Sequence, residues 1–110
     1  MAVISRYNVT QDTINTAEIV EGLTVQTTFG RGLSITIKNT GENSLTWAVW
    51  GGNLSDLSDV VEVKANENVL DAMASSWSTD YAVFEFYVAY IASLVEDAPT
   101  TAVLSAIVKN

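Results

Sequence analysis

Two short runs of alternating hydrophobicity, separated by five polar residues, place the strongest constraint on the fold. Leu33–Lys38 and Ser44–Trp50 each alternate apolar and less apolar residues with a period of two, as a strand with one buried face does. Their apolar faces are Leu33, Ile35 and Ile37 in the first run and Leu45, Trp47 and Val49 in the second. Asn39–Asn43 between them is rich in turn-forming residues. We therefore predict two strands joined as a β-hairpin.

The same pattern of short apolar runs and turn residues continues along the chain. Further strands are predicted at Val3–Thr10, Thr16–Val20, Leu23–Phe29, Val60–Ala65, Tyr81–Val95 and Thr100–Val108. The last two segments are predicted to form a long hairpin, and the polar segment Ser75–Asp80 is predicted to be a loop. About seven or eight short strands with frequent turns predict an all-β fold, a single antiparallel β-sandwich or jelly-roll.

The chain length fits one domain. With 110 residues the chain can bury one core, and no linker or domain-scale repeat divides it. We expect a single β-sandwich domain over residues 1–110, in which residues 1–15 are either an N-terminal arm or an edge strand.

The charged residues argue against two classes of partner. The chain has 13 acidic and 5 basic residues, a net charge of −8, and its basic residues are scattered singly along the sequence. Nucleic-acid binding needs clustered positive charge, and an acidic membrane surface would repel this chain. No uncharged apolar run is long enough to span a bilayer, and the N-terminus lacks a secretory-signal pattern. We expect neither a nucleic-acid nor a membrane partner.

The chain also lacks the side chains that most catalytic sites use. It contains no histidine and no cysteine, so the usual nucleophile–base pairs and thiolate metal sites cannot form. We expect no enzymatic activity and no cofactor. Asn53, Asp56 and Asp59 have oxygen ligands that suit calcium, but turns in which these side chains bond nearby backbone are the favoured interpretation.

The segment Tyr81–Val95 is more apolar than a half-buried strand requires. Glu85 is its only charged side chain, whereas one face of such a strand is normally polar. Either another element of the chain covers the second face, or another subunit does. Because interfaces favour Tyr and Trp over Lys and Glu, we expect a homo-oligomer. The candidate interface residues are Tyr81, Val83, Tyr87, Ile91, Val103, Ile107, Trp50 and Trp77.

The three tryptophans have different expected roles. Trp47 lies on the apolar face of its strand and is predicted to be a core residue. Trp50 falls on the opposite face, and Trp77 lies in the predicted polar loop. The latter two are predicted to lie in the core or at a protein interface, and a platform that stacks sugar rings is the alternative.

The run from Ser34 to Asn53 resembles small β-sandwich modules of phage virion proteins. Such modules often carry a strand, an Asn-Thr-Gly turn, a second strand and a glycine-rich loop, as Thr36–Gly52 does here. They often close with an aromatic strand, a turn and an alternating strand, like Phe84–Ile91 and Ala102–Val108. The resemblance covers roughly residues 30–110. It departs from the pattern where the closing strand carries Glu85 instead of basic residues.

The resemblance implies a structural role in a virion assembled in the host cytoplasm. Relatives of this kind decorate capsids, cement capsomers or build tail and fibre parts, often as trimers. We expect a capsid decoration or cement protein that binds itself, with a trimer favoured, and the major capsid protein. The alternatives are a carbohydrate- or receptor-binding module and a head–tail joining or tail component.

Overall fold

The computed structural model describes residues 3–14, 18, 20–27, 31–80 and 84–109. These residues form eight strands and no helix that is long and apolar enough to cross a bilayer. The strands are β1 (Val3–Ile14), β2 (Val20–Gln26), β3 (Gly32–Asn39), β4 (Leu45–Gly52), β5 (Val61–Leu70), β6 (Ser75–Asp80), β7 (Phe86–Ser93) and β8 (Thr100–Lys109).

The strands form two four-stranded antiparallel sheets. Sheet A has the order β1-β8-β3-β6, and sheet B has the order β2-β7-β4-β5. Only β4 and β5 are both consecutive in the chain and paired in a sheet, so the other described connections cross between the sheets. This is the strand order of a jelly-roll, the double Greek-key form of a β-sandwich. The predicted fold class is confirmed.

Two predicted hairpins are wrong, because their strands lie in different sheets. β3 pairs with β6 and β8 in sheet A, whereas β4 pairs with β5 and β7 in sheet B. Likewise, β7 lies in sheet B between β2 and β4, and β8 lies in sheet A. A turn that crosses between two sheets and a turn that stays within one sheet can join strands with the same alternation of apolar and polar residues. The alternation alone therefore could not tell them apart.

Three local predictions also change. Ser75–Asp80, predicted to be a loop, is the edge strand β6. Serine and threonine occupy positions where a strand usually carries apolar side chains. Glu67–Asn68, a polar pair that the sequence predicts to be a turn, lies inside β5, whose pairing with β4 shifts register next to Trp47. The alternation of the predicted strand Val60–Ala65 places Val61 inward, but 51% of the surface of Val61 is exposed. Edge strands and bulges tolerate such residues because one side of the ladder is open or irregular.

The core fills the space between the two sheets. Its sheet A residues come from alternate positions of β3 and β8, and its sheet B residues come from β2, β4, β5 and β7. They are Leu33, Ile35, Ile37, Ala102, Leu104, Ala106 and Val108 in sheet A, and Leu23, Val25, Leu45, Trp47, Val49, Leu70, Tyr87, Ala89 and Ile91 in sheet B. Trp47 is completely buried, as predicted for a core tryptophan.

Candidate functional site

Both sheets turn one face toward the core, so the functional candidates lie on their outer faces. In sheet B the inward residues of β4 and β7 include Val49 and Ala89, which are register partners. The residues next to them, Trp50 and Val88, are also register partners and therefore point outward. The same parity places Glu21, Thr24, Thr46, Ala48, Glu62, Val69, Phe86, Tyr90 and Ala92 on this outer face.

Large aromatic side chains cover the centre of this surface, which we call the aromatic face. Trp50 and Tyr90 meet edge to face, with ring centroids 6.1 Å apart and an interplanar angle of 86°. Ala48 and Val88 point outward too, yet none of their surface is exposed. Small residues on β4 and β7 are thus covered by aromatic neighbours that are themselves only partly buried. The surface remains apolar.

The edges of the aromatic face, unlike its centre, carry acidic side chains. Val69 on β5 is 53% exposed, and Glu21 and Glu62 carry exposed carboxylates on the two flanking strands. The hydroxyl of Thr24 donates a hydrogen bond to the Glu21 carboxylate. Among the described side chains, this face carries acidic groups and no basic one. It combines an apolar centre with an acidic rim.

The outer face of sheet A has the opposite charge, and we call it the basic face. The register places Arg6 beside Ile107, Lys38 beside Val103, and Gly32 beside Lys109. The three basic side chains are exposed. The other outward side chains that the structure describes are Asn8, Thr10, Ser34, Thr36, Ser75, Trp77, Thr79, Thr101 and Ser105. None of these outward side chains is acidic.

A row of side chains crosses the middle of the basic face. It runs from Trp77 on β6 through Thr36 and Ser105 to Asn8 on β1. The hydroxyls of Thr36 and Ser105 are 2.5 Å apart and share a hydrogen bond. Trp77 is 66% exposed. Beside this row, a shallow depression of about 500 Å³ lies next to Arg6 and Ile107.

The predicted interface residues are divided among three environments. Tyr87 and Ile91 lie in the core with no exposed surface, because the odd-numbered face of β7 points inward. In this arrangement they are core side chains, and the outward residues of β7 are Phe86, Val88, Tyr90 and Ala92. Trp50 lies on the aromatic face, whereas Val103, Ile107 and Trp77 lie on the basic face. Tyr81 and Val83 lie outside the described residues.

The two candidate sugar-stacking tryptophans are not on one surface. Trp50 belongs to sheet B and Trp77 to sheet A, on opposite sides of the sandwich. A platform that uses both indole rings therefore cannot form within one chain.

The acidic loop after β4 uses its side chains to hold its own backbone. The carboxylate of Asp59 accepts hydrogen bonds from the backbone N–H groups of Asn53 and Leu54, at 2.9 and 3.1 Å. Asp56 accepts one from the Ser58 N–H at 3.0 Å, and Asn53 Oδ1 accepts one from the Glu85 N–H. These bonds agree with the favoured turn interpretation.

Hydrogen bonding also sets the ionisation of one of these acids. The Ser58 hydroxyl and backbone N–H both stabilise the charged form of Asp56, which lowers the pKa of its carboxyl. Within the part of the chain that the structure describes, no three His, Cys, Asp or Glu side chains form a group that could hold a metal ion.

Comparison with known proteins shows similarity of fold. No family model and no curated protein matches the chain. PirA is 14% identical with a TM-score of 0.58, and the match covers 94% of this chain and 92% of that one. A chain from the acidic stable capsid of Helicobacter pylori bacteriophage KHP30 is 11% identical with a TM-score of 0.55, covering 96% and 88%. A chain from the disulfide-linked pili of Bacillus endospore appendages is 15% identical with a TM-score of 0.52, covering 96% and 88%. At these identities the likeness establishes a shared β-sandwich fold.

Sequence reasoning missed the aromatic face as a surface. Phe86, Tyr90 and Val69 lie on it, but none was among the predicted interface residues. The available signal was strand parity. Trp47 was assigned to the core, so Trp50 had to point outward, and its neighbours across β7 and β5 follow from the register. That register is a tertiary property which the sequence does not display.

Proposed function

We propose that this chain is a non-enzymatic structural protein of a phage particle, a capsid decoration or cement protein that self-associates and stabilises the shell. The aromatic face is the observation that carries the proposal. Trp50, Phe86 and Tyr90 remain partly exposed on the outer surface of sheet B, where a solitary domain would normally present polar side chains. The fold shared with a phage capsid chain and a pilus chain supports this class of role.

The energetics favour a protein partner for this surface. Burying apolar area contributes roughly 25 cal/mol per Å², so several aromatic and aliphatic side chains from each subunit can offset the cost of association. Aromatic residues are enriched at interface centres and charged residues are excluded to the rim. The aromatic face has this arrangement, with Glu21 and Glu62 at its edges.

The proposed partners are a second copy of the chain, with the trimer suggested by the resemblance, and the major capsid protein. The proposed location is the virion, after synthesis in the host cytoplasm. The absence of histidine and cysteine from the sequence supports a role without catalysis or cofactor. The net charge of −8 supports a role without nucleic-acid or membrane binding.

Light scattering on the purified chain, together with co-sedimentation with capsids that lack it, tests the proposal. The wild type should have a mass of several chains and should sediment with the capsids. Val69→Asp places a charge on the aromatic face at a residue that is already 53% exposed, and it should reduce both signals. Val95→Asp is the matched control, because Val95 is 61% exposed in the turn after β7. A monomeric wild type that does not bind capsids contradicts the proposal.

A sugar- or receptor-binding role is the second candidate, and Trp77 is the observation that favours it. Its indole is 66% exposed beside the hydroxyls of Thr36 and Ser105, a combination that can stack on and hydrogen-bond a sugar ring. Glycan-array binding that Trp77→Ala abolishes and Trp50→Ala leaves intact would support this role. The absence of binding to any glycan would remove it. Electron microscopy of the particle would separate decoration from a joining or tail position.

A further inference from the structure

We propose that the basic face of one copy covers the aromatic face of the next, so that the chain associates head to tail. This inference rests on the proposed self-association and specifies which surfaces meet. The basic face, the outer surface of sheet A, includes Trp77, Val103, Ile107, Lys38 and Lys109. The aromatic face is the outer surface of sheet B. Each copy therefore uses two different surfaces, one from each sheet.

Charge is the first argument for this pairing. The basic face carries Arg6, Lys38 and Lys109 and, among the described side chains, no acidic residue. These are three of only five basic residues in a chain with 13 acidic ones. The aromatic face carries Glu21 and Glu62 among its described side chains, with no base. Complementary potentials of this kind orient partners and suppress other arrangements.

Apolar chemistry is the second argument. The basic face has apolar side chains at its centre and its edge, since Val103 and Ile107 are partly exposed on β8 and Trp77 is 66% exposed on β6. The aromatic face offers Trp50, Phe86 and Tyr90. Both surfaces are outer faces of four-stranded sheets and have similar widths. Two such faces can stack as sheets do within a sandwich, at about 10 Å.

The same charges disfavour pairing of identical faces. Two basic faces in contact would bring Arg6, Lys38 and Lys109 of one copy toward the same residues of another. Two aromatic faces would bring the Glu21 and Glu62 carboxylates together. Like charges held in contact across an interface are destabilising, so the two-fold symmetric arrangements are the less favourable ones.

The positions of the two faces determine the form of the assembly. They lie on opposite sides of one sandwich, so a contact that joins them extends along the sheet normal. A heterologous contact of this kind gives an open stack unless its rotation closes a ring. We therefore expect association that increases with concentration, and this open stack takes the place of the trimer that the resemblance implies.

Two charge-reversal variants test the pairing without knowledge of the exact docking. Lys38→Glu/Lys109→Glu makes the basic face acidic, and Glu21→Lys/Glu62→Lys makes the aromatic face basic. All four side chains are exposed, so both variants should fold, which circular dichroism and thermal unfolding can check. Each variant alone should associate at least about tenfold more weakly than the wild type by sedimentation velocity. An equimolar mixture should recover association, because each altered face then meets a complementary one.

The outcomes separate this inference from the proposed function. Recovery in the mixture, with weakened association of each variant alone, supports the head-to-tail contact. If only Glu21→Lys/Glu62→Lys alters association, or if the mixture recovers nothing, the pairing is overturned while self-association stands. If the wild type does not associate at any concentration, the head-to-tail contact is overturned, and the proposed function fails as well if the wild type does not bind capsids. Glu42→Lys, an exposed charge reversal in the turn before β4, is the control and should behave as the wild type.

Discussion

The hydroxyl of Thr100 donates a 2.6 Å hydrogen bond to Oδ1 of Asn39, and both side chains are buried at one end of the sandwich. The Asn39 amide also donates to the backbone carbonyls of Asn43 and Leu70, at 2.8 and 3.0 Å, and Oδ1 accepts from the Gly41 N–H. The side-chain amide of Asn39 thus connects the ends of β3 and β5 to the start of β8.

We expect Asn39→Ala to lower the free energy of unfolding by about 2–3 kcal/mol, because it leaves buried backbone groups without partners. Urea denaturation measures this. The control is Thr40→Ala, which removes the exposed hydroxyl pair of Thr40 and Thr101 and should cost less than about 0.5 kcal/mol. Equal effects of the two substitutions would contradict the role of Asn39.

A second prediction concerns Gly41, which packs against the start of β8. A Cβ at this position would lie 2.6 Å from the backbone nitrogen of Thr101 and 2.8 Å from the Cα of Thr100. Gly41→Ala must therefore displace backbone, and we expect a loss of about 1–3 kcal/mol in unfolding free energy. Gly32→Ala is the matched control, since nothing lies within 4 Å of its added Cβ. The control should be neutral or stabilising by up to about 1 kcal/mol.

A third prediction uses two adjacent residues of β8 that face opposite sides. Leu104 is completely buried between the sheets, whereas Val103 is partly exposed on the basic face. Leu104→Ala should lower the unfolding free energy by about 2–5 kcal/mol, and Val103→Ala by less than about 1 kcal/mol. Thermal or urea unfolding distinguishes them. A larger effect at Val103 would mean that β8 has the reverse orientation.

A fourth prediction concerns Asp56. Hydrogen bonds from Ser58 hold the pKa of the folded carboxyl below its ordinary value, so the charged form stabilises the loop. This contribution is present above the ordinary pKa and is lost as the pH falls through the folded value. Ser58→Ala removes the hydroxyl, and NMR titration of the carboxyl should then show a higher pKa. Ser55→Ala, in the same loop, should leave the pKa of Asp56 unchanged.

The faces of individual strands were predictable where alternation was regular. Ile35 and Ile37 on β3 and Trp47 on β4 all point into the core at the parity of their apolar runs. The prediction failed for β7, where both faces are apolar and the pattern cannot show which of them is inward. Tyr87 and Ile91 turned out to be the inward residues. β6 was missed because its serine and threonine residues carry no apolar alternation.

The sequence by itself determined that the chain forms short antiparallel strands around one core, because side-chain alternation reports which face of a strand avoids water. Only the tertiary structure decided which strands share a sheet. Any strand with free backbone N–H and C=O groups can pair with any other such strand. Segments that are neighbours in the chain, such as β3 and β4, can therefore pair with each other or lie in different sheets with the same local sequence pattern. The pairing places Trp50 and Trp77 on opposite sides of the sandwich and gathers three scattered basic residues on one face.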